Sequence, residues 1–183
     1  YQKLEFNSFL KRLKLPAAKT EKAEKFVNPD VEKTIIKTMQ ELDSLSIFKE
    51  KEVFIKVFGD YSHVRKPEIQ GIFIMNEERA VFIDCSVVSP EEAAKTINLL
   101  GLSFSGHDIK DDIYSLMVYG LTDFSVAFDT AIAEYVLDAS RSKYDLKTLA
   151  LEKLHKALPE ESDFLAGKGQ LDMFSDNCDV YAD

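Results

Sequence analysis

Gly106-His107-Asp108-Ile109-Lys110-Asp111-Asp112 and, further on, Val126-Ala127-Phe128-Asp129-Thr130 are the two stretches on which the fold turns. The first follows a short apolar run, Leu102–Ser105, that reads as a strand. Asp108 and Asp111 then put negative charge into the turn and first turn at a helix N-terminus, where the backbone N–H groups favour it. That helix carries Ile113, Leu116 and Met117 on one face and stops at Gly120. In the second stretch Val126–Phe128 is strand-like, Asp129-Thr130 reads as a helix start, and Ala131–Leu137 continues the helix.

Working upstream, Ser89 is a candidate N-cap, Pro90 suits N1, Glu92 completes a capping box, and Gly101 ends that helix. Three strands precede it: Glu52–Gly59, Gly71–Met75 and Ala80–Cys85, the last two joined by the polar turn Asn76-Glu77-Glu78-Arg79. Val31, Ile35, Met39, Leu42 and Leu45 mark an earlier helix, entered through Asn28-Pro29-Asp30. Downstream, Asp145 caps a helix that runs through Lys153, and Ala166–Gly169 is a loop. Three strands followed by alternating helix and strand predict an α/β fold with a mixed sheet rather than a purely parallel one. Residues 1–14 have helical apolar spacing, and 15–29 read as a linker.

The chain has 183 residues, enough for one domain with a substantial core. Its 23 Lys and Arg against 32 Asp and Glu give a formal charge of −9, which opposes unaided binding to a polyanion. Cys85 and Cys178 have no framework spacing and read as reduced thiols of a cytoplasmic protein. No apolar run is long enough for a membrane span, and there is no signal-peptide layout. A chain that starts at Tyr1 reads as a piece of something larger.

The stretch Gly106–Asp112 resembles the second motif of the 3′–5′ exonuclease domain of family A DNA polymerases. There the last Asp of G-x-N-x-K-x-D is a metal ligand; here that position is Asp112, and Asp108 stands in place of the Asn. Val126–Thr130 and Ser140–Leu149 (SRSKYDLKTL) are similar to later family segments, and Ala166–Gly169 to its G-K-G loop. The wording of Leu4–Leu13 resembles the last helix of the 5′ nuclease domain that precedes the exonuclease domain in bacterial DNA polymerase I. The resemblance runs from Leu4 to about Gly169. It implies a ribonuclease H-like fold, with a mixed central sheet and helices on both faces. It also implies residues 1–14 as the tail helix of the 5′ nuclease domain, 15–29 as linker, and 30–183 as the exonuclease-like domain, with the polymerase domain beyond.

Two-metal phosphodiester hydrolysis needs several carboxylates around cations about 4 Å apart. In the family a D-x-E pair on the first strand supplies two of them, because residues i and i+2 share a face. Aligned on its V-F start, this chain has Val57 and Gly59 at those positions. Asp60 and Asp84 offer only Ser62 and Ser86 two residues on; Glu50 with Glu52 precedes or opens the strand, and Glu41 with Asp43 falls on a helix. The last motif falls on Met173 and Asn177 in one register. In another, Tyr181 takes the motif Tyr and the Asp lies past the end of the chain. Asp112 is thus the only retained motif carboxylate, expected to be solvated or helix-capping. Asp108 and Asp111 read as turn and first-turn acids, His107, His63 and His155 as surface histidines. Gly167-Lys168-Gly169 is too short for a phosphate loop, and Lys11, Arg12 and Lys14 form a solvated face.

The expectation is a vestigial exonuclease domain that binds no metal itself, within a Mg-dependent DNA polymerase. Its partners would be the polymerase and 5′ nuclease domains, with DNA reached through the parent protein. The rivals are an active two-cation exonuclease using Asp60, Asp84 and Asp112, and a ribonuclease D-like processing enzyme.

Overall fold

The structure is a computed structural model, and it describes residues 24–25, 31–49, 51–62 and 65–158. Of these, 31–146 form one compact unit, and 24–25 with 147–158 another. In the smaller unit, the two-residue strands β1 (Glu24–Lys25) and β8 (Lys156–Ala157) pair in parallel, and a helix at Leu146–Leu154 precedes β8 in the chain. The tail-helix assignment for 1–14, the linker apart from β1, and the G-K-G loop and last motif lie outside the described residues, as do His63 and Cys178.

The larger unit is built on a six-stranded mixed sheet. Its strands are β2 (Glu32–Ile36), β3 (Glu52–Asp60), β4 (Glu68–Met75), β5 (Arg79–Asp84), β6 (Ser103–Gly106) and β7 (Ser125–Asp129). They lie in the order β2-β5-β4-β3-β6-β7. β3, β4 and β5 form an antiparallel meander, while β6 and β7 add in parallel beside β3, and β2 in parallel beside β5. The fold is therefore the expected α/β class with a mixed sheet.

One face holds the main core. Val53, Ile55 and Val57 of β3, Ile72 and Ile74 of β4, and Val81 and Ile83 of β5 alternate inward. Over them pack α1 (Pro90–Asn98) through Ala93, Ala94 and Ile97, and α2 (Lys110–Val118) through Ile113 and Leu116. Ser89 caps α1 as expected, its side chain accepting the Glu92 N–H with Pro90 at N1. The opposite face carries a smaller cluster of Val31, Phe73, Ala80 and Phe82. A further helix, α3 (Thr130–Leu137), follows β7.

Two expectations are corrected. The helix expected over Val31–Leu45 is a strand, β2, followed by a 3₁₀ helix at Met39–Phe48. β-Branched Thr34, Ile35 and Ile36 suit the strand that pairs with β5. Leu42, Leu45 and Phe48, the buried residues of the 3₁₀ helix, recur every three positions, which matches three residues per turn. Met117 does not share the inward face of α2; it is half exposed, and Asp112 and Ser115 take the buried places instead.

Candidate functional site

Asp129 ties together the stretches Gly106–Asp112 and Val126–Thr130. Its Oδ1 accepts the N–H groups of Asp108 and Ala131, at 3.0 and 2.8 Å, and its Oδ2 accepts that of Ile109 at 2.9 Å. A fourth, longer bond comes from Ile132. One carboxylate thereby caps α3 and holds the turn that leads into α2. Asp108 occupies that turn with φ of 51°, the left-handed region that Asp tolerates better than most residues. Burial pushes the Asp129 carboxyl up, but four backbone donors outweigh it and hold the group below the ordinary carboxylate range. Gly106 is required there by space, since a Cβ would lie 2.3 Å from Ile109 Cγ2. His107 is half-buried rather than on the open surface, its Nδ1 2.7 Å from Thr130 Oγ1.

The turn delivers Asp112 to the edge of β3. β6 pairs with β3 only as far as Phe54 with Ser105, so the sheet leaves the next stretch of that edge uncovered. Asp112 fills the gap: its Oδ1 accepts the Val57 N–H at 3.3 Å. Lys56 donates to both carboxylate oxygens, at 3.1 and 3.0 Å. The Tyr61 hydroxyl donates to the Val57 carbonyl at 2.6 Å and lies 3.3 Å from Asp112 Oδ1. Asp112 is 1% exposed. The expected solvated or capping carboxylate is neither: its side chain makes no cap to its own helix, and it is buried against another element. Burial pushes its carboxyl above the usual value, with Lys56, the Val57 N–H and Tyr61 pulling the other way. Burial, and then the Asp112 charge, push the Tyr61 phenol upward too.

Val57 and Gly59 stand on β3 next to this group. The Val57 side chain is 1% exposed and belongs to the main core. Gly59 sits at a bulge between Phe58 and Gly59, where a Cβ would lie 2.1 Å from the Glu68 carbonyl oxygen. Position 59 therefore has no room for a side chain unless the backbone moves. Asp60 is exposed and accepts the Ser62 N–H, an Asx-type turn. Asp84 is on β5, where its register partner Gly71 stands between it and Phe58 of β3, and its Oδ1 accepts from Ser86 N–H and Oγ–H. Two strand spacings separate such positions, roughly 10 Å. Asp60, Asp84 and Asp112 are not brought together, and among the described residues no three His, Cys, Asp or Glu groups could hold one metal ion. The described donor set does not fit a pair of divalent cations.

No sequence motif marks Lys56 or Tyr61. The only signal was Lys56 itself, a single cation in the apolar strand Val53-Phe54-Ile55-Lys56-Val57-Phe58, at a position whose alternation points outward. A cavity of about 440 Å³ lies at the far end of β3, lined by Lys51, Glu52, Phe54, Asn76, Glu77 and Glu78, away from Asp112. Cys85 beside Asp84 is a free, partly buried thiol, pushed up to about 12 by burial and then by the Asp84 and Glu91 charges.

A meander of three antiparallel strands, extended in parallel by β6 and β7 beside β3 and by β2 beside β5, makes this a ribonuclease H-like α/β domain. Residues 53–182 match the family described as DNA polymerase I, ribonuclease H-like domain. The chain belongs to that family, the 3′–5′ exonuclease-type domain of DNA polymerase I. Among solved structures it is similar to Pol1 from M. smegmatis, a structure in complex with DNA primer-template and dNTP. The TM-score is 0.56 with 21% identity, over 70% of this chain and 23% of that one. RNase D of Trypanosoma brucei gives a TM-score of 0.63 at 10% identity, over 76% of this chain and 53% of that one. The EXO domain of Aedes aegypti Nibbler gives 0.60 at 12% identity, over 87% and 85%. At these identities the likenesses concern the fold. No curated protein matches the chain significantly. No described helix is long and apolar enough to cross a membrane.

Proposed function

We propose that this chain is a vestigial, catalytically inactive 3′–5′ exonuclease domain and a structural module of a bacterial DNA polymerase I. The parent protein is then a Mg-dependent, DNA-directed DNA polymerase of replication and repair in the cytoplasm. The domain's partners are the polymerase and 5′ nuclease domains of the same chain, and DNA is reached through them. The observation that carries this reading is the crowding at Gly59, where a Cβ would lie 2.1 Å from the Glu68 carbonyl oxygen. The Glu of the family's D-x-E pair has no space in this backbone, and its partner position, Val57, has been absorbed into the core. Two-metal phosphodiester cleavage needs a pair of cations that stabilise the attacking and the leaving oxygen, and a single buried carboxylate cannot hold such a pair.

The test is a 3′-end degradation assay on labelled single-stranded DNA with Mg²⁺ or Mn²⁺, comparing the wild-type chain with Asp112→Ala. Neither should shorten the oligonucleotide above buffer. Stepwise 3′ trimming by wild type that disappears in Asp112→Ala would refute inactivity and favour a rearranged ligand set.

A further inference from the structure

A carboxylate as deeply buried as Asp112 needs a compensating cation or proton, because the desolvation of an unpaired charge is large. In this fold the compensation comes from the chain. Lys56 lies on the strand beside which Asp112 docks, and its ammonium reaches both carboxylate oxygens at 3.1 and 3.0 Å. The remaining lone pairs on the inner oxygen face the Val57 N–H and the Tyr61 hydroxyl. Lys56 is half exposed, so its head spans the space between Asp112 and solvent. An ion that bound Asp112 through the oxygens Lys56 contacts would compete with that head.

We propose that Lys56 is a tethered replacement for a metal ion: its ammonium neutralises Asp112, fastens α2 to the uncovered edge of β3, and excludes divalent cations from the carboxylate. This rests on reading the domain as a former metal site. The site is then closed by its own positive charge as well as depleted of ligands. A side-chain cation holds the helix and strand together at any metal concentration, which a lost metal no longer could.

Tyr61 supplies a probe, since its ring can sensitise Tb³⁺ luminescence from an ion bound at Asp112, and its hydroxyl is 3.3 Å from Oδ1. Tb³⁺ titrations of the whole chain would compare wild type, Lys56→Met and the Lys56→Met/Asp112→Asn double variant. The single variant should bind Tb³⁺ about tenfold or more tightly than wild type, the factor expected for removing one competing partly buried charge. The double variant should lose that gain. Equal affinity in wild type and Lys56→Met, or a gain that survives Asp112→Asn, overturns the proposal. Should Lys56→Met fail to fold by circular dichroism, recovery of the fold in the double variant supports the proposal, because the uncompensated carboxylate is then the cause. Failure of both overturns it in favour of packing. The 3′ degradation assay on the same wild-type sample keeps the two readings apart: cleavage there would sink inactivity, whereas the Tb³⁺ comparison alone decides the role of Lys56.

Discussion

Asp129 and Asp112 are both buried carboxylates on neighbouring elements, yet their environments drive them in opposite directions. Asp129 is surrounded by backbone donors and held low; Asp112 is dominated by desolvation and pushed up. The sign of each contribution to stability follows. A lowered group stabilises the fold above its unfolded pKa of about 3.9, and that contribution is lost as pH falls through the folded value. Asp129→Asn should thus cost about 1–3 kcal/mol at neutral pH, since a neutral amide offers one acceptor oxygen to the donors that now share two. In urea unfolding the gap between Asp129→Asn and wild type should shrink when the pH is taken to 3 and below. A gap independent of pH would mean that the capping charge contributes nothing. A raised group behaves in the reverse way: the stability that the protonated form of Asp112 brings is present below about pH 3.9 and is lost as pH rises through the folded value. The Asp129 cap could be foreseen from Asp-Thr before an apolar helical run. The burial of Asp112 could not, because its partners Lys56, Val57 and Tyr61 lie more than fifty positions away.

The 3₁₀ helix shows how an apolar pattern can be read with the wrong period. Val31, Ile35, Met39, Leu42 and Leu45 fit a continuous α-helix on spacing alone. The chain instead spends Glu32–Ile36 on a strand beside β5, then tightens to put Leu42, Leu45 and Phe48 inward. Met39, counted as inward by the helical spacing, is 43% exposed. Leu45→Ala should therefore cost roughly 2–5 kcal/mol, as for other fully buried leucines. Met39→Ala should stay within about 0.5 kcal/mol, the range of surface substitutions. Equal losses in chemical denaturation would restore the α-helical reading. α3 departs from amphipathic expectation differently. Its one buried residue is Glu134, which meets Arg141 of the Ser140–Leu149 segment at 3.1 Å, while Ile132, Val136 and Leu137 are exposed. Arg141 of that segment is thus joined to α3 through a charge pair rather than an apolar stripe.

For the molecule as a whole, the acidic balance bears on DNA. With a formal charge of −9, the chain has little net positive charge with which to release counterions from a polyanion. The isolated chain should bind a single-stranded oligonucleotide more weakly than about 100 μM at physiological salt, the weak end of non-specific binding. Fluorescence anisotropy would measure it, and sub-micromolar affinity would point to a nucleic-acid surface of its own. The order of strands and helices from β3 to α3, the family, and the absence of a D-x-E pair on β3 were legible in the sequence; the strand β2 and the 3₁₀ helix before them were not. The legible features depend on periodicity, capping and residue identity, which are local or motif-bound properties. That Gly59 has no space for a side chain, that Asp112 is buried, and that Lys56 stands against it as the compensating cation came from the folded chain alone. These are outcomes of strand register and helix docking, which bring residues distant in sequence to within hydrogen-bonding distance, and no local pattern encodes them.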